Sequence, residues 1–573
     1  MKKIIVVLGI LVTTLNSCSN FIEEDNRSYG AAEEYYITAP GFESLVNVNY
    51  AALKEIYGGD PYLFVSGTDM YSDGRTIEPS EGLSKYTSLN SGTVGVDQLY
   101  RSCFAAIQQA NKGIYYSTIT QQTTTVPTRV GELKFLRANA YFLLVQTYGG
   151  VPLVLDDINT AVTAFDRNSA EEVYTQIIKD LNEALPAVST ASYTATAGRV
   201  NKRAVQNLMA KVYLTKGYES FGTPADFTTA AALADEVIAG QALSVSFENV
   251  VKPGNEMNAE TIFSVQFSTA SNSADIDGLG SSQNYWFGAY LGAGNTGLYP
   301  NRSYSLCATP YALSLFEKGD KRWEGTFMTE IYSNYYQYYT VADKTTLKIA
   351  HFYEPKWFTA AERANYIATH PDLTGTVKPV DPSKIPPGYH IWTSYSSAAI
   401  STGDYNLICV RKFDDPTSPY SGASSANYNT TPVTPATNRS STRDFIISRL
   451  GETYLVAAEA YFKAGNTTTA LERLNEVRRR AGGGTAGVIP VLTSIDIDVI
   501  LDERGRELLG EYHRWFDLKR TGTLITRAVA HNPKIPSASA FDGKGGNKKI
   551  LRPIPQSALD LNRNKNFPQN PAY

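Results

Sequence analysis

The 573-residue chain is poor in the residues from which catalytic and metal centres are usually built, with 4 Cys, 5 His and 5 Met. The histidines form no HExxH pair, no GxSxG string occurs, and the cysteines have no metal-like spacing, so zinc and serine hydrolysis find no foothold. Charge is scarce too. Asp, Glu, Lys and Arg make up 19%, below the roughly 25% of an average soluble domain, and a net charge of -4 argues against nucleic acid as a partner. Beyond the first twenty residues no apolar run approaches the length of a membrane-spanning helix.

Tyrosine, by contrast, is abundant: 38 residues, beside 23 Phe and 5 Trp. An aromatic ring with a hydroxyl faces water and still presents a flat apolar plate, as binding surfaces require. Hydrophobic residues reach 43%, enough for a large core, so disorder over the full length is excluded. At about 150 residues per domain the length suits three or four ordinary domains, or one large domain with long insertions.

The opening places Lys2 and Lys3 before an apolar stretch from Ile4 to Leu15, followed by Asn16, Ser17 and Cys18. This is the pattern of an export signal, too short to span a membrane. Leu15-Asn16-Ser17-Cys18 resembles a bacterial lipoprotein box, in which the cysteine thiol takes a diacylglycerol. That resemblance makes residues 1–18 a lipoprotein signal ending on a lipidated Cys18, with 19–40 as a tether. Glu23-Glu24-Asp25 in the tether resembles a surface-export signal of some Gram-negative lipoproteins. The expected location is the outer membrane, lipid-anchored and exposed at the cell surface. Cys103, Cys307 and Cys409 remain; three widely spread cysteines read as buried small hydrophobes rather than a disulfide framework.

From 41 to 261 apolar residues recur three and four apart, which predicts helices over 41–57, 99–116, 131–148, 170–185, 202–216 and 228–238. Gly149-Gly150-Val151-Pro152 stops one of them. The small-residue and aromatic runs at 138–141 and 204–213 suit closely paired helices, so tetratricopeptide-like hairpins stacked into a superhelical scaffold are expected. From 262 to 440 the character changes. Residues 262–267 alternate like a strand, and the rest is rich in Gly, Ser, Thr, Pro, Asn and Tyr, a loop-rich and partly β insertion of the length that usually carries function. Helix is expected again over 445–464, 468–480 and 496–512, within a C-terminal region 441–573. The fold class is mainly α.

The residues also resemble a known family, the SusD/RagB outer-membrane lipoproteins. Leu99-Tyr100 with Ala110-Asn111, Gly131-Glu132 with Phe135-Leu136-Arg137-Ala138, and Tyr148 through Leu153 are similar to its N-terminal signature. Arg443-Asp444-Phe445, Arg449-Leu450-Gly451-Glu452, Asn475 through Arg478, and Glu503 through Leu508 followed by Arg514 through Arg520 are similar to its C-terminal one. The resemblance implies capture of oligosaccharide or polysaccharide at the cell surface and delivery to a TonB-dependent SusC-like barrel, for which the protein acts as lid. It implies no enzyme activity and no cofactor. Two alternatives stay open: peptide capture for a RagA-like barrel, or a helical-repeat scaffold without a nutrient ligand of its own.

A sugar site needs flat rings against the pyranose faces and polar groups at the hydroxyl edge. Tyr285, Trp286 and Tyr290 lie between Gly-rich and Ser-rich flanks without amphipathic period, which predicts an exposed aromatic platform. Trp392 and Tyr389 form a second candidate, and Trp357 a weaker one. In relatives the loop after the first helix often helps to hold glycan; its counterpart is 67–75, where Tyr71 would be a plate and Asp73 and Arg75 would bond hydroxyls. Trp323 and Trp515 read as core. Glu503, Arg504, Glu507, Glu511 and Arg514, three and four residues apart, predict a salt-bridged helix face rather than a catalytic carboxylate pair. A glycosidase reading would need a carboxylate pair in the insertion, and Asp275, Asp277 and Asp404 are not paired in sequence. The tyrosines at 332, 335, 336, 338 and 339 fit a contact surface or a sheet wall. Two GxGxxG strings, at Gly292, Gly294 and Gly297 and at Gly482, Gly484 and Gly487, sit in loops and lack the strand-to-helix setting of a dinucleotide site. No metal site is expected.

Overall fold

A computed structural model describes residues 32–73, 81–268, 280–287, 306–373, 375–376, 390–393, 408–416, 441–484 and 488–573. Cys18 lies outside them, and no helix of the described residues is long and apolar enough to cross a membrane.

The longer N-terminal helices form where the apolar period placed them, and a short one, Ala32–Tyr36, falls in the stretch expected as a tether. They are α1 (Ala32–Tyr36), α2 (Ala39–Tyr57), α3 (Val96–Tyr116), α4 (Val126–Tyr148), α5 (Ala170–Ala184), α6 (Lys202–Lys216) and α7 (Pro224–Ile238). Ser169 and Glu172 close a reciprocal capping box on α5, and Asn201 Oδ1 accepts from the Ala204 amide at 2.9 Å to cap α6. Such caps satisfy amide groups that the helix cannot. Consecutive helices pack in pairs, α2 on α3, α3 on α4, α4 on α5 and α6 on α7. Fully buried Ala138 and Ala140 on α4 permit close approach.

After α8 (Ala360–Thr369) the C-terminal block adds α9 (Leu450–Lys463), α10 (Thr467–Ala481), α11 (Ile497–Leu508), α12 (Arg514–Arg520), α13 (Leu524–His531) and α14 (Gln556–Leu561). α9 packs on both α7 and α10, so the two helical blocks expected from sequence share one core.

The strands join them. β2 (Thr261–Val265) pairs antiparallel with β10 (Phe445–Arg449), Phe445 opposite Val265, which closes the insertion at its root. Three expectations change here. Residues 445–449 are a strand rather than the first turn of a helix, because pairing with β2 overrides local period. β2 is also buried at every position instead of alternating, because both of its faces are covered. α11 ends at Leu508 rather than Tyr512, since Gly510 and Tyr512 take left-handed backbone with φ of 79° and 64°.

β1 (Tyr71–Asp73) of the N-terminal region pairs with β3 (Leu306–Ala308) of the insertion, and within the insertion β4 (Phe327–Met328) pairs with β9 (Cys409–Val410). β5 (Glu330–Tyr332), β6 (Ile349–Glu354), β8 (His390–Thr393) and β7 (Gly375–Thr376) form a small sheet in that order. Cys103, Cys307 and Cys409 are buried, with no disulfide among the described residues, and burial pushes the Cys103 thiol far above its usual range.

Candidate functional site

The described parts of two candidate segments far apart in sequence, 67–73 and 285–287, meet. β1 lies beside β3, and the Tyr71 ring sits 5.0 Å from Phe287. Phe287 also contacts Phe413 at 5.3 Å and Tyr512 at 6.3 Å. Behind it Trp286 meets Tyr62 edge-on at 5.1 Å and Tyr285 at 4.9 Å. The turn carrying these rings is pinned by the Ser282 hydroxyl, which donates to the carbonyls of Gly58 and Gly59 at 2.9 and 2.7 Å. Gly510 makes the closure possible: a Cβ there would fall 2.4 Å from the Phe413 ring.

This wall corrects the expected platform. Trp286 is 5% exposed and Tyr71 1%, so neither ring is an open plate; Tyr285 is half-buried. Flanking Gly and Ser describe the chain beside a ring, whereas burial is decided by distant partners such as Tyr62. The Tyr71 hydroxyl has no hydrogen-bond partner among the described residues, and burial raises its pKa well above the usual phenol range. Asp73 contributes backbone to β1 opposite Leu306. Trp392 stands in β8 opposite Phe352 and Thr376. The side chains of Asp73 and Trp392, and all of Arg75, Tyr290 and Tyr389, lie outside the described residues.

The other aromatic groups are mostly structural. Trp323 and Trp515 are core as expected, 2% and 0% exposed, and Trp357 packs edge-on against Trp323 at 5.3 Å. The tyrosine cluster turns inward: Tyr335 and Tyr339 both donate to Asp414, at 2.8 and 2.7 Å. Sequence reasoning missed a stacked pair, Tyr311 on His531 with centroids 3.6 Å apart. Asp502 and Arg527 both bond the Tyr311 hydroxyl, and the Arg527 guanidinium covers the same ring at 5.4 Å. The groups of a sugar site are present there, but they are engaged with one another. No local pattern joins residues 311, 502, 527 and 531.

The C-terminal carboxylates are structural, though their partners differ from expectation. Instead of pairing mainly along one helix, they gather cations from distant segments. Glu503 binds Arg322 at 2.6 Å and Arg478 at 3.0 Å, Glu507 binds Arg449 at 2.5 Å and also Arg480, and Glu511 binds Arg449 at 2.7 Å and Lys412. Burial alone would raise the Glu507 pKa, but Arg480, Arg449 and Arg322 outweigh it and hold the carboxyl well below its usual range. Glu511, under the same opposition, sits at about 2. Carboxylates locked between guanidiniums hold no proton to give at neutral pH. His513 is pushed down to about 4 by burial, with Glu452 at 3.5 Å opposing. Among the described residues no group of His, Cys, Asp and Glu is placed to hold a metal.

The second glycine string has the wrong polarity for phosphate. Gly483 and Gly484, with φ of 79°, terminate α10, whereas a phosphate cradle needs a helix N-terminus. The first string and Gly487 lie outside the described residues.

Residues 259–573 match the SusD family, and residues 21–214 match a family described as starch-binding associating with outer membrane. The chain belongs to the SusD family. Among curated relatives, SusD-like protein P2 of Formosa agariphila is 25% identical over the full length of both chains. The starch-binding protein SusD of Bacteroides thetaiotaomicron is 32% identical over 131 residues, 23% of this chain and 22% of that one. A laminarin-binding SusD-like protein has a similar structure, with a TM-score of 0.65 at 22% identity over 94% of this chain and all of the other. A SusD homologue from B. thetaiotaomicron gives 0.70 at 19% identity, covering 95% and 98%. Two of these relatives are named for what they bind, one starch and one laminarin.

Proposed function

We propose that this protein captures glycan at the bacterial surface and passes it to a TonB-dependent SusC-like barrel, over which it acts as lid, held to the outer membrane through a lipid on Cys18. The observation that carries the reading is the meeting of Tyr71 and Phe287 at 5.0 Å in a chain whose relatives include starch- and laminarin-binding proteins. It unites two of the segments expected to hold sugar.

Tyr285 is the plate proposed to meet a pyranose face, backed by the rigid rings of Trp286 and Tyr62. Tyr71 would contribute its hydroxyl from the wall, and Asp73 and Arg75 would bond the sugar edge. Tyr290, Trp392 and Tyr389 are proposed as further contacts. Delivery, rather than hydrolysis, suits a face backed by Glu511, whose carboxylate is paired with Arg449 and Lys412.

The test is calorimetric titration of the chain beginning at Ser19 against plant, host and microbial oligosaccharides, with reducing ends assayed afterwards. Binding without new reducing ends, lost in Tyr285→Ala while the unfolding midpoint holds, is the expected result. Retention of full affinity by Tyr285→Ala would remove the plate from the site. Absence of binding to every sugar would turn the reading toward peptide capture or a scaffold.

A further inference from the structure

A groove of about 470 Å³ opens between α3, the segment 152–165 and α14. Tyr100, Phe104 and Ile107 of α3 form one wall, and Val162, Phe165 and Leu561 close it. Its mouth leaves Leu561 79% and Val162 46% exposed. The amides at its edge are engaged within the chain. Gln108 Nε2 donates to Asp157 at 2.9 Å and to the Ile158 carbonyl at 3.2 Å, and Asn562 holds both backbone groups of Phe165. A groove with apolar walls and occupied amides selects apolar side chains rather than the hydroxyls of a sugar.

Its place on α3 points to the occupant. Residues four apart share a helix face, so Tyr100, Phe104, Gln108, Lys112 and Tyr116 form one row. At the far end of that row, Tyr36 of α1 packs edge-on to Tyr116 at 5.3 Å and beneath Lys112 Nζ at 5.7 Å. Read backward from Tyr36, the chain carries Glu34 and Glu33 within α1, then Arg27, Asp25, Glu24 and Glu23, and then Ile22 and Phe21. The order along the chain matches the order along the helix: carboxylates for Lys112, then apolar side chains for the groove. Reach is ample, because eight helical residues from Tyr116 to Gln108 cover about 12 Å, and the extended chain from Ala32 back to Phe21 spans up to about 36 Å.

We propose that Phe21 and Ile22 seat in this groove, with Glu23, Glu24 and Asp25 crossing Lys112, so that the N-terminal tether is clasped along α3. The consequence for anchoring, though not the clasp itself, rests on the lipidation of Cys18 proposed above. With that lipid in place only Ser19 and Asn20 separate anchor from clasp, and the groove end of α3 is held close to the membrane surface.

A nitroxide on Asn20→Cys in the chain beginning at Ser19 tests the clasp without the lipid, so failure of the anchor reading and failure of the clasp are distinguishable. The native cysteines are buried, and the label goes to the new one. A slow spectral component is expected, converting to a several-fold faster one in the pair Val162→Asp and Leu561→Asp, and equally in Phe21→Ser with Ile22→Ser. Both groove positions are exposed, so circular dichroism and the unfolding midpoint should hold. A fast label in the parent chain would overturn the proposal, as would a slow label that survives both pairs. A fast label with a dimer in sedimentation that Leu561→Asp dissolves would give the groove to a second copy and overturn it as well.

Discussion

The charged lattice around α11 and the aromatic wall around Phe287 are both buried, yet they are built on opposite principles. In the lattice the carboxylates find partners brought from elsewhere: Arg322, Arg449 and Arg480 come from three different segments to one carboxylate, Glu507. In the wall the contacts are ring on ring, and the hydroxyls of Tyr71 and Tyr512 have no partner among the described residues. The lattice is closed chemistry that fixes how distant segments dock. The wall leaves these two hydroxyls without partners, and half-buried Tyr285, against Trp286, is where the proposed ligand contacts would form.

The strongest way to break this comparison is to remove a charge from the lattice. Glu507→Ala leaves three buried guanidiniums without their shared carboxylate, and removing one partner of a buried ion pair costs about 3–5 kcal/mol. Urea unfolding should show a loss of that size. A loss below about 1 kcal/mol, no more than an exposed pair contributes, would mean that the arginines find other partners and the lattice is not a lock.

Trp286→Ala tests the wall in the same currency. At 5% exposure the indole is a core side chain, and truncating a buried Trp costs about 3–5 kcal/mol. Lost glycan retention in this variant would therefore not separate stacking from collapse, which is why Tyr285→Ala carries the binding test. Unchanged stability in Trp286→Ala would return the indole to the list of open plates.

Acid should act with opposite sign on two buried groups, His513 and Asp444. His513 has its pKa lowered by burial to about 4, so between pH 6.5 and 4 the unfolded chain binds the extra proton and stability falls as pH falls. The size is on the order of 3 kcal/mol at full displacement. Asp444, beside β2, is held near 6 by burial. In its window the folded chain takes the proton first, so its contribution rises as pH falls from about 6 toward the ordinary carboxylate range. His513→Asn should flatten the acid limb of a stability profile, and Asp444→Asn should steepen it. Parallel profiles for parent and His513→Asn would show that the imidazole is protonated in both states.

What was legible in the sequence follows the same division. α3, α4 and α6 could be read because their apolar period is local and Gly149 marks a stop. Phe445 to Arg449 could not, because only β2, 180 residues away along the chain, makes them a strand. The carboxylates at 503, 507 and 511 revealed their structural nature by spacing, but not their partners, since Arg322 and Arg449 lie in other segments. The wall was half legible: the sequence placed aromatics at 71 and 285–287 but could not tell a plate from its backing, because exposure is a property of the neighbours.

The smallest expected effect is the most discriminating. Tyr71→Phe removes one oxygen from a ring that is 1% exposed, and that oxygen has no partner among the described residues. Deleting a buried hydroxyl without a partner relieves its desolvation and costs nothing in contacts, so stability should stay level or rise by up to about 1 kcal/mol. If the hydroxyl is held in reserve for ligand, the same substitution should weaken glycan affinity by roughly five- to tenfold, the value of one hydrogen bond. Stability and affinity then move in opposite directions in a single variant. A loss of stability would show that the hydroxyl already has a partner within the protein, and the wall would be closed chemistry like the lattice.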